Sequence, residues 1–385
     1  MKGRAGWGVV VHVACSGLAN HDPGNHEPEI DGIAAMALNE LQGIDSYPVP
    51  SQPQVAVVLA RDGIGLRTVR WRPTARKGAM GSVLVVAGRA EFIERYSEVI
   101  AELRRRGFHV ASFDWRGQGG SDRTVSNIRK GHVRRFDDYL LDLDAVFAEV
   151  MARLPKPWFI LAHSMGAALC LEAARQNRLP VSRLVALAPM VGLSMVKRPG
   201  LARSAAAILD RLLLGSRFVP GGNEASIATK PFARNRLTSD PDRYARNATL
   251  SAARPHLAVG DPTVRWVHEA FRFMEHMSAP ATPLDVRVPT LVIAAGADPV
   301  VDTSSVERFA ARLKTGLALV LPGSRHEILH ENNDIRAAFW AAFDVFVPGE
   351  TTRRAALPAS AVQHGQGSLV DAAIAGGDDA PATGG

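Results

Sequence analysis

Residues 158–174 read WFILAHSMGAALCLEAA. A short apolar run ends at a His-Ser pair, and an alanine-rich stretch of helical character follows at once. A serine between a buried strand and a helix stands on a turn so tight that the residues two before and two after it must be small. Here they are Ala162 and Gly166. Such a turn lifts the Ser164 hydroxyl above the sheet edge and aims a helix N-terminus at the reacting carbon, where negative charge develops. Ser164 is the candidate nucleophile. The plainer reading is a serine that merely caps a helix.

A serine hydroxyl reacts poorly without a base and an orienting acid. Both must emerge at the same end of the sheet, from loops after later strands. The run TLVIAAG (290–296) is followed by Asp298, the preferred acid. Asp302 is its rival, although Ser304 and Glu307 form a capping-box pattern that leaves Asp302 just ahead of a helix. The run LALVLPG (317–323) is followed by His326, the candidate base.

His326 also begins a match to H-E-x-x-H, with Glu327 and His330. A zinc protease needs that motif inside one helix so that both histidines share a face. Pro322 and Gly323 stand immediately upstream, and no third ligand is evident, so the metal reading is disfavoured. Glu327 then reads as a first-turn charge favoured by the helix dipole, and His330 as a helix residue.

Around these residues, short apolar runs alternate with helical periodicities, the pattern of a largely parallel sheet. QVAVVLA and LRTVRW flank an Asp62-Gly63 turn; SVLVVAG, FHVASFD, WFILA and RLVALAP follow, and then the two late strands, eight in all. The expected division is a loose extension over 1–46, a core over 47–191, a helical cap or lid over 192–284, the rest of the core over 285–349, and a disordered tail over 350–385. The tail is rich in Ala, Gly, Pro and Asp.

The chain has 385 residues, 46% hydrophobic and 22% charged, with a formal net charge of +7. The basic clusters Arg104–Arg106 and Arg129, Lys130, Arg134, Arg135 read as solvated faces, with weak attraction to anionic phospholipid as the functional alternative. No basic-aromatic interleaving suggests nucleic acid. Two distant cysteines, Cys15 and Cys170, exclude a disulfide framework and favour a reducing compartment. Residues 1–15 imitate a lipoprotein signal, but their apolar run is short and broken by His12.

Two further segments carry a resemblance. VVAGRAEFIERYSEVIAELRRRGFHV (85–110) holds a G-R-x-E-F pattern, Gly88 to Phe92, with Tyr96 downstream. FDWRGQGGSD (113–122) matches a D-x-R-G-x-G-x-S turn. With Ser164, Asp298 and His326 they resemble the α/β-hydrolase superfamily, and within it the bacterial lysophospholipase and monoacylglycerol lipase group. NRLTSDPDRYAR (235–246) is similar to the lysophospholipase branch.

The resemblance implies an α/β-hydrolase fold: a mostly parallel eight-stranded sheet flanked by helices, with a helical cap after the sixth strand. It implies a Ser164–Asp298–His326 triad, and an oxyanion hole from the backbone N–H groups of Arg89 and Met165. Ala87 departs from the histidine common in the family. No metal or organic cofactor is expected. The expected substrate is a lipid ester such as a lysophospholipid or monoacylglycerol, with transient contact to a membrane surface and a cytoplasmic or inner-face location. Other readings are a small-ester esterase, a peptidase or an acyltransferase on the same fold, or a non-catalytic ligand-binding relative. The oligomeric state is left open. In the insert, Ile208, Leu209, Leu212 and Leu213 form one apolar face; Trp266, Ala270, Phe273, Met274 and Met277 form another that suits an acyl-chain tunnel.

Overall fold

The computed structural model describes residues 40–74 and 80–347. The signal-like stretch, Cys15 and the tail from 350 lie outside the described residues.

The strands β1 (Gln54–Leu59) and β2 (Gly65–Trp71) make an antiparallel hairpin. Then come β3 (Ser82–Val86), α1 (Ser97–Arg105), β4 (His109–Phe113), α2 (Asp137–Glu149), β5 (Trp158–His163), α3 (Ser164–Arg175) and β6 (Arg183–Leu187). Helices α4 (Pro199–Leu209), α5 (Pro241–Ala253) and α6 (Val264–Ser278) fill the insert, which contains no strand. The chain closes with β7 (Thr290–Ala295), α7 (Thr303–Ala310), β8 (Gly316–Leu321) and α8 (Asn333–Phe346). The sheet order is β1-β2-β4-β3-β5-β6-β7-β8, and β2 is antiparallel to both of its neighbours. From β4 through β8 every pairing is parallel.

Side chains alternate across the pleat. Val83 and Val85 of β3, Phe159 and Leu161 of β5, and Leu291 and Ile293 of β7 face one core with Val99, Ile100 and Leu103 of α1 and Phe339 and Phe343 of α8. Their neighbours Leu84, Val86, Ile160, Ala162 and Val292 face the other core, with Leu140 and Leu143 of α2 and Leu169 of α3. Both faces are covered, which is why these runs are continuously apolar. The strand order reverses between β3 and β5, and ligands of such sheets bind beyond the strand ends at that point.

Three sequence expectations need revision. Residues 40–46 are not loose: Leu41 and Ile44 pack against the body, and the Gln42 amide donates to Glu94. The basic clusters are not simply solvated faces. Arg104 is buried and donates to the carbonyls of Arg72 and Ser51, while Arg129 donates to the carbonyls of Pro255, Ala258 and Glu224 in the insert. Finally, α7 starts two residues early, because the Asp302 side chain accepts from the Ser305 amide and is itself the cap in place of Ser304.

Candidate active site

Ser164 follows β5 directly and opens α3 with φ +51°, a left-handed conformation that a non-glycine residue adopts at a cost. A Cβ at Gly166 would stand 2.3 Å from the Ala87 carbonyl oxygen, so only glycine fits there. The turn leaves Ser164 8% exposed, at the floor of a cavity.

The Ser164 hydroxyl lies 2.9 Å from His326 Nε2, and His326 Nδ1 lies 2.8 Å from Asp298 Oδ2. In the productive tautomer Oγ–H donates to Nε2, and Nδ1–H donates to the carboxylate. The other Asp298 oxygen accepts from the amides of Val300 and Val301. Burial alone would raise the Asp298 carboxyl, but His326 and these amides outweigh it and hold it below the ordinary range. The rival Asp302 spends its carboxylate on the amide and hydroxyl of Ser305.

Arg89 follows β3, and no described residue accepts a hydrogen bond from its amide. Met165 is the second residue of α3, where amides lack partners within the helix. The Arg89 loop is pinned by Gln118, whose amide donates to the carbonyls of Gly88 and Glu91 while its oxygen accepts from Ala90 N. Gln118 sits in the FDWRGQGGSD turn. There Asp114 accepts from the amides of Ile93 and Gly120 and from Arg67, and Arg116 is clasped by Asp62 and Asp142. Gly119 has φ +57°, and a Cβ there would stand 2.1 Å from the Asp114 carboxyl carbon.

The H-E-x-x-H residues do not share a helical face. His326 precedes a single turn, Ile328–His330; the Glu327 carboxylate grips Arg95, and His330 Nε2 is 3.0 Å from the Arg95 carbonyl oxygen. Glu327 is therefore a buried ion-pair partner rather than a charge placed by a helix dipole.

Sequence reasoning missed a second buried pair. His163 sets Nδ1 against Glu91 at 3.0 Å and Nε2 against the His326 carbonyl at 3.1 Å. Both partners are acceptors, so both ring nitrogens carry hydrogen and the imidazolium is favoured. Burial opposes that charge, yet Glu91 outweighs it and raises the His163 pKa; in return His163 overrides burial and holds Glu91 at about 2. Glu91 also accepts from the Gly88 amide and the Tyr96 hydroxyl. The available signals were slight: Glu91 is the glutamate of the G-R-x-E-F pattern, and His163 adjoins Ser164.

The cavity has a volume of about 350 Å³. Its apolar lining includes Met190, Met195, Val196, Phe271, Met274 and Val301, and its charged lining includes Arg89, Glu91 and Asp261. Of the helical face expected to line an acyl-chain tunnel, Trp266, Ala270 and Met274 line this cavity. Phe273 instead packs on Phe136, and Met277 is wholly buried in the core.

Residues 77–333 match a family of hydrolases described as serine aminopeptidase, S33. The chain belongs to this family. It is 35% identical over 302 residues to lysophospholipase L2 of Escherichia coli K12, covering 74% of this chain and 85% of that protein. A monoglyceride lipase of Rattus norvegicus is 25% identical across 78% of this chain and 94% of that protein. The crystal structure of a monoacylglycerol lipase from Paleococcus ferrophilus superposes with a TM-score of 0.57 at 20% identity, over 72% of this chain and 97% of that one. The sheet and its flanking helices are those of the α/β-hydrolase fold, as the sequence implied.

Proposed function

We propose that this protein hydrolyses carboxylic esters of lipids, lysophospholipids or monoacylglycerols, through Ser164, His326 and Asp298. The reading rests on one observation above all. A continuous hydrogen-bond chain from Ser164 to Asp298 sits at the floor of a mainly apolar cavity. The lysophospholipase and monoglyceride lipase names of its relatives support the lipid substrate.

In the cycle His326 takes the hydroxyl proton as Ser164 Oγ bonds to the ester carbonyl carbon. The amides of Arg89 and Met165 stabilise the oxyanion, and Asp298 orients the imidazole and balances its charge. The carbon–oxygen bond to the alcohol breaks, and the alcohol leaves with the proton from His326. Water, deprotonated by His326, then releases the fatty acid. The segment 192–284 acts as the cap, supplying most of the apolar lining.

The cap also carries the membrane contact. Leu201, Ile208, Leu212 and Leu213 are exposed, Leu213 by 91% and with φ +64°. The first apolar face of the insert is thus turned to solvent instead of packing inward. Lys197, Arg198 and Arg211 stand beside it in sequence, exposed and without an ionic partner among the described residues. Such an apolar tip flanked by cations suits an anionic bilayer.

The test is hydrolysis of lysophospholipid, monoacylglycerol and short-chain ester by wild type and Ser164→Ala. We expect the long-chain esters to be preferred, and the variant to lose about a thousandfold or more in kcat. Preference for a peptide or a short ester would overturn the lipid assignment.

A further inference from the structure

We propose that the guanidinium of Arg89 is the anchor for a phosphate group on the substrate, so that the cavity takes lysophospholipids in preference to neutral monoacylglycerols. The inference rests on the lipid-esterase reading and names the substrate class within it.

The side chain of Arg89 lines the same cavity as Ser164. Of its five donors one is used: Nη2 donates to the Gly260 carbonyl at 2.6 Å. Nε is enclosed and has no partner. Nη1 makes no hydrogen bond to a described residue either. The guanidinium carbon lies 5.2 Å from the Trp266 ring centroid, so the indole face steadies the plane without satisfying its donors.

Three buried arginines of this core are held by carboxylates, whereas Arg104, also buried, rests on the backbone carbonyls of Arg72 and Ser51. Arg67 is held by Glu94 and Asp114, Arg95 by Glu327, and Arg116 by Asp62 and Asp142. Arg89 has no carboxylate within ion-pair distance among the described residues. Asp261 shares the cavity wall and adds a favourable field, but its carboxylate accepts from the Asn223 amide. Burial lowers the guanidinium to about 10, which leaves it charged at neutral pH.

Arg89 is half-buried, with Nε enclosed; a partly desolvated cation without a counter-ion is costly, and an anionic oxygen pair offered to its free edge recovers part of that cost. Arginine's planar fork suits a phosphate more than any neutral group. Position within the substrate agrees. The backbone of residue 89 faces the ester oxygen in the proposed cycle, and the phosphate of a lysophospholipid lies one glycerol unit from that ester. One residue thus addresses both ends of the head portion, by its amide and by its side chain. The apolar wall remains for the acyl chain. Arg95 also lines the cavity, but it is committed to Glu327.

The experiment compares 1-palmitoyl lysophosphatidylglycerol with 1-monopalmitoylglycerol in the same detergent micelles, using the full chain as wild type, Arg89→Gln and Arg89→Lys. The readout is the ratio of kcat/KM for the two esters, which cancels any loss common to both. Wild type should favour the phospholipid. Arg89→Gln should lower the ratio about tenfold or more, mainly through KM, as expected for lost charge-assisted hydrogen bonds. Arg89→Lys, which keeps the charge without the fork, should restore part of it. An unchanged ratio with both rates reduced would overturn the proposal, leaving Arg89 as a tie between core and cap. A wild type that prefers the neutral ester would overturn it too. Hydrolysis of neither ester would instead remove the lipid-esterase reading beneath it.

Discussion

Asp298 and Asp302 stand on one loop, four positions apart, with opposite duties. Asp298 faces His326, whereas Asp302 turns its carboxylate into the first turn of α7. Asp298→Asn should therefore lower kcat about a thousandfold or more by presenting the wrong hydrogen-bond partner to Nδ1. Asp302→Ala should cost about 1 kcal/mol of stability through the lost cap and keep turnover. Ester kinetics and thermal unfolding of the two variants check both outcomes. The sequence preferred Asp298 because the apolar run TLVIAAG ends two residues ahead of it, and in the structure it is Asp298 that lies beside His326. The cap itself was misread. Ser304 with Glu307 fits the capping-box pattern as well as Asp302 fits a simple cap, and pattern alone does not say which backbone amide a side chain reaches.

At the scale of elements, the Glu91–His163 pair joins two loops of the site. Glu91 fixes the Gly88 amide beside the expected oxyanion loop, and through His163 it fixes the main chain of His326. His163 is also faced by Glu327, and its ring centroid lies 4.8 Å from that of His326. The pair has a pH signature. His163 holds its proton more tightly folded than unfolded, so its contribution is complete below the ordinary value of about 6.5 and fades as pH rises through the raised folded value. Glu91 contributes above its ordinary 4.5 and loses that contribution as pH falls toward about 2. The melting temperature of wild type should thus decline on the alkaline side, and Glu91→Gln should flatten that decline. Parallel curves would contradict the pairing. Elements and their order were readable, because period-two and helical spacing report which face is buried. The partners of buried charges were not. Arg95 and Glu327 meet across 232 positions, and no periodicity encodes such a pairing. Likewise, residues 40–46 carry too few apolar positions to form a pattern, yet Leu41 and Ile44 are enough to seat them.

Across the whole molecule, the insert turns one apolar side toward the cavity and leaves another in water. Met195, Val196 and Ala202 line the cavity, while Leu201, Ile208, Leu212 and Leu213 are exposed. The sequence showed two apolar faces but not which would be covered, since amphipathicity does not name its partner. Leu212→Asp with Leu213→Asp should reduce co-sedimentation with phosphatidylglycerol vesicles severalfold, and leave hydrolysis of a monomeric short-chain ester intact. Equal sedimentation of variant and wild type would remove the bilayer contact from the account. Among the described residues no helix is long and apolar enough to cross a membrane.

The central claim is that Ser164 is an activated nucleophile. Fluorophosphonate labelling of the full chain, read by intact mass and peptide mapping, tests it most directly. We predict one adduct, on Ser164, unaffected by EDTA and absent from Ser164→Ala. An unlabelled wild type, or an adduct on another residue, would contradict it.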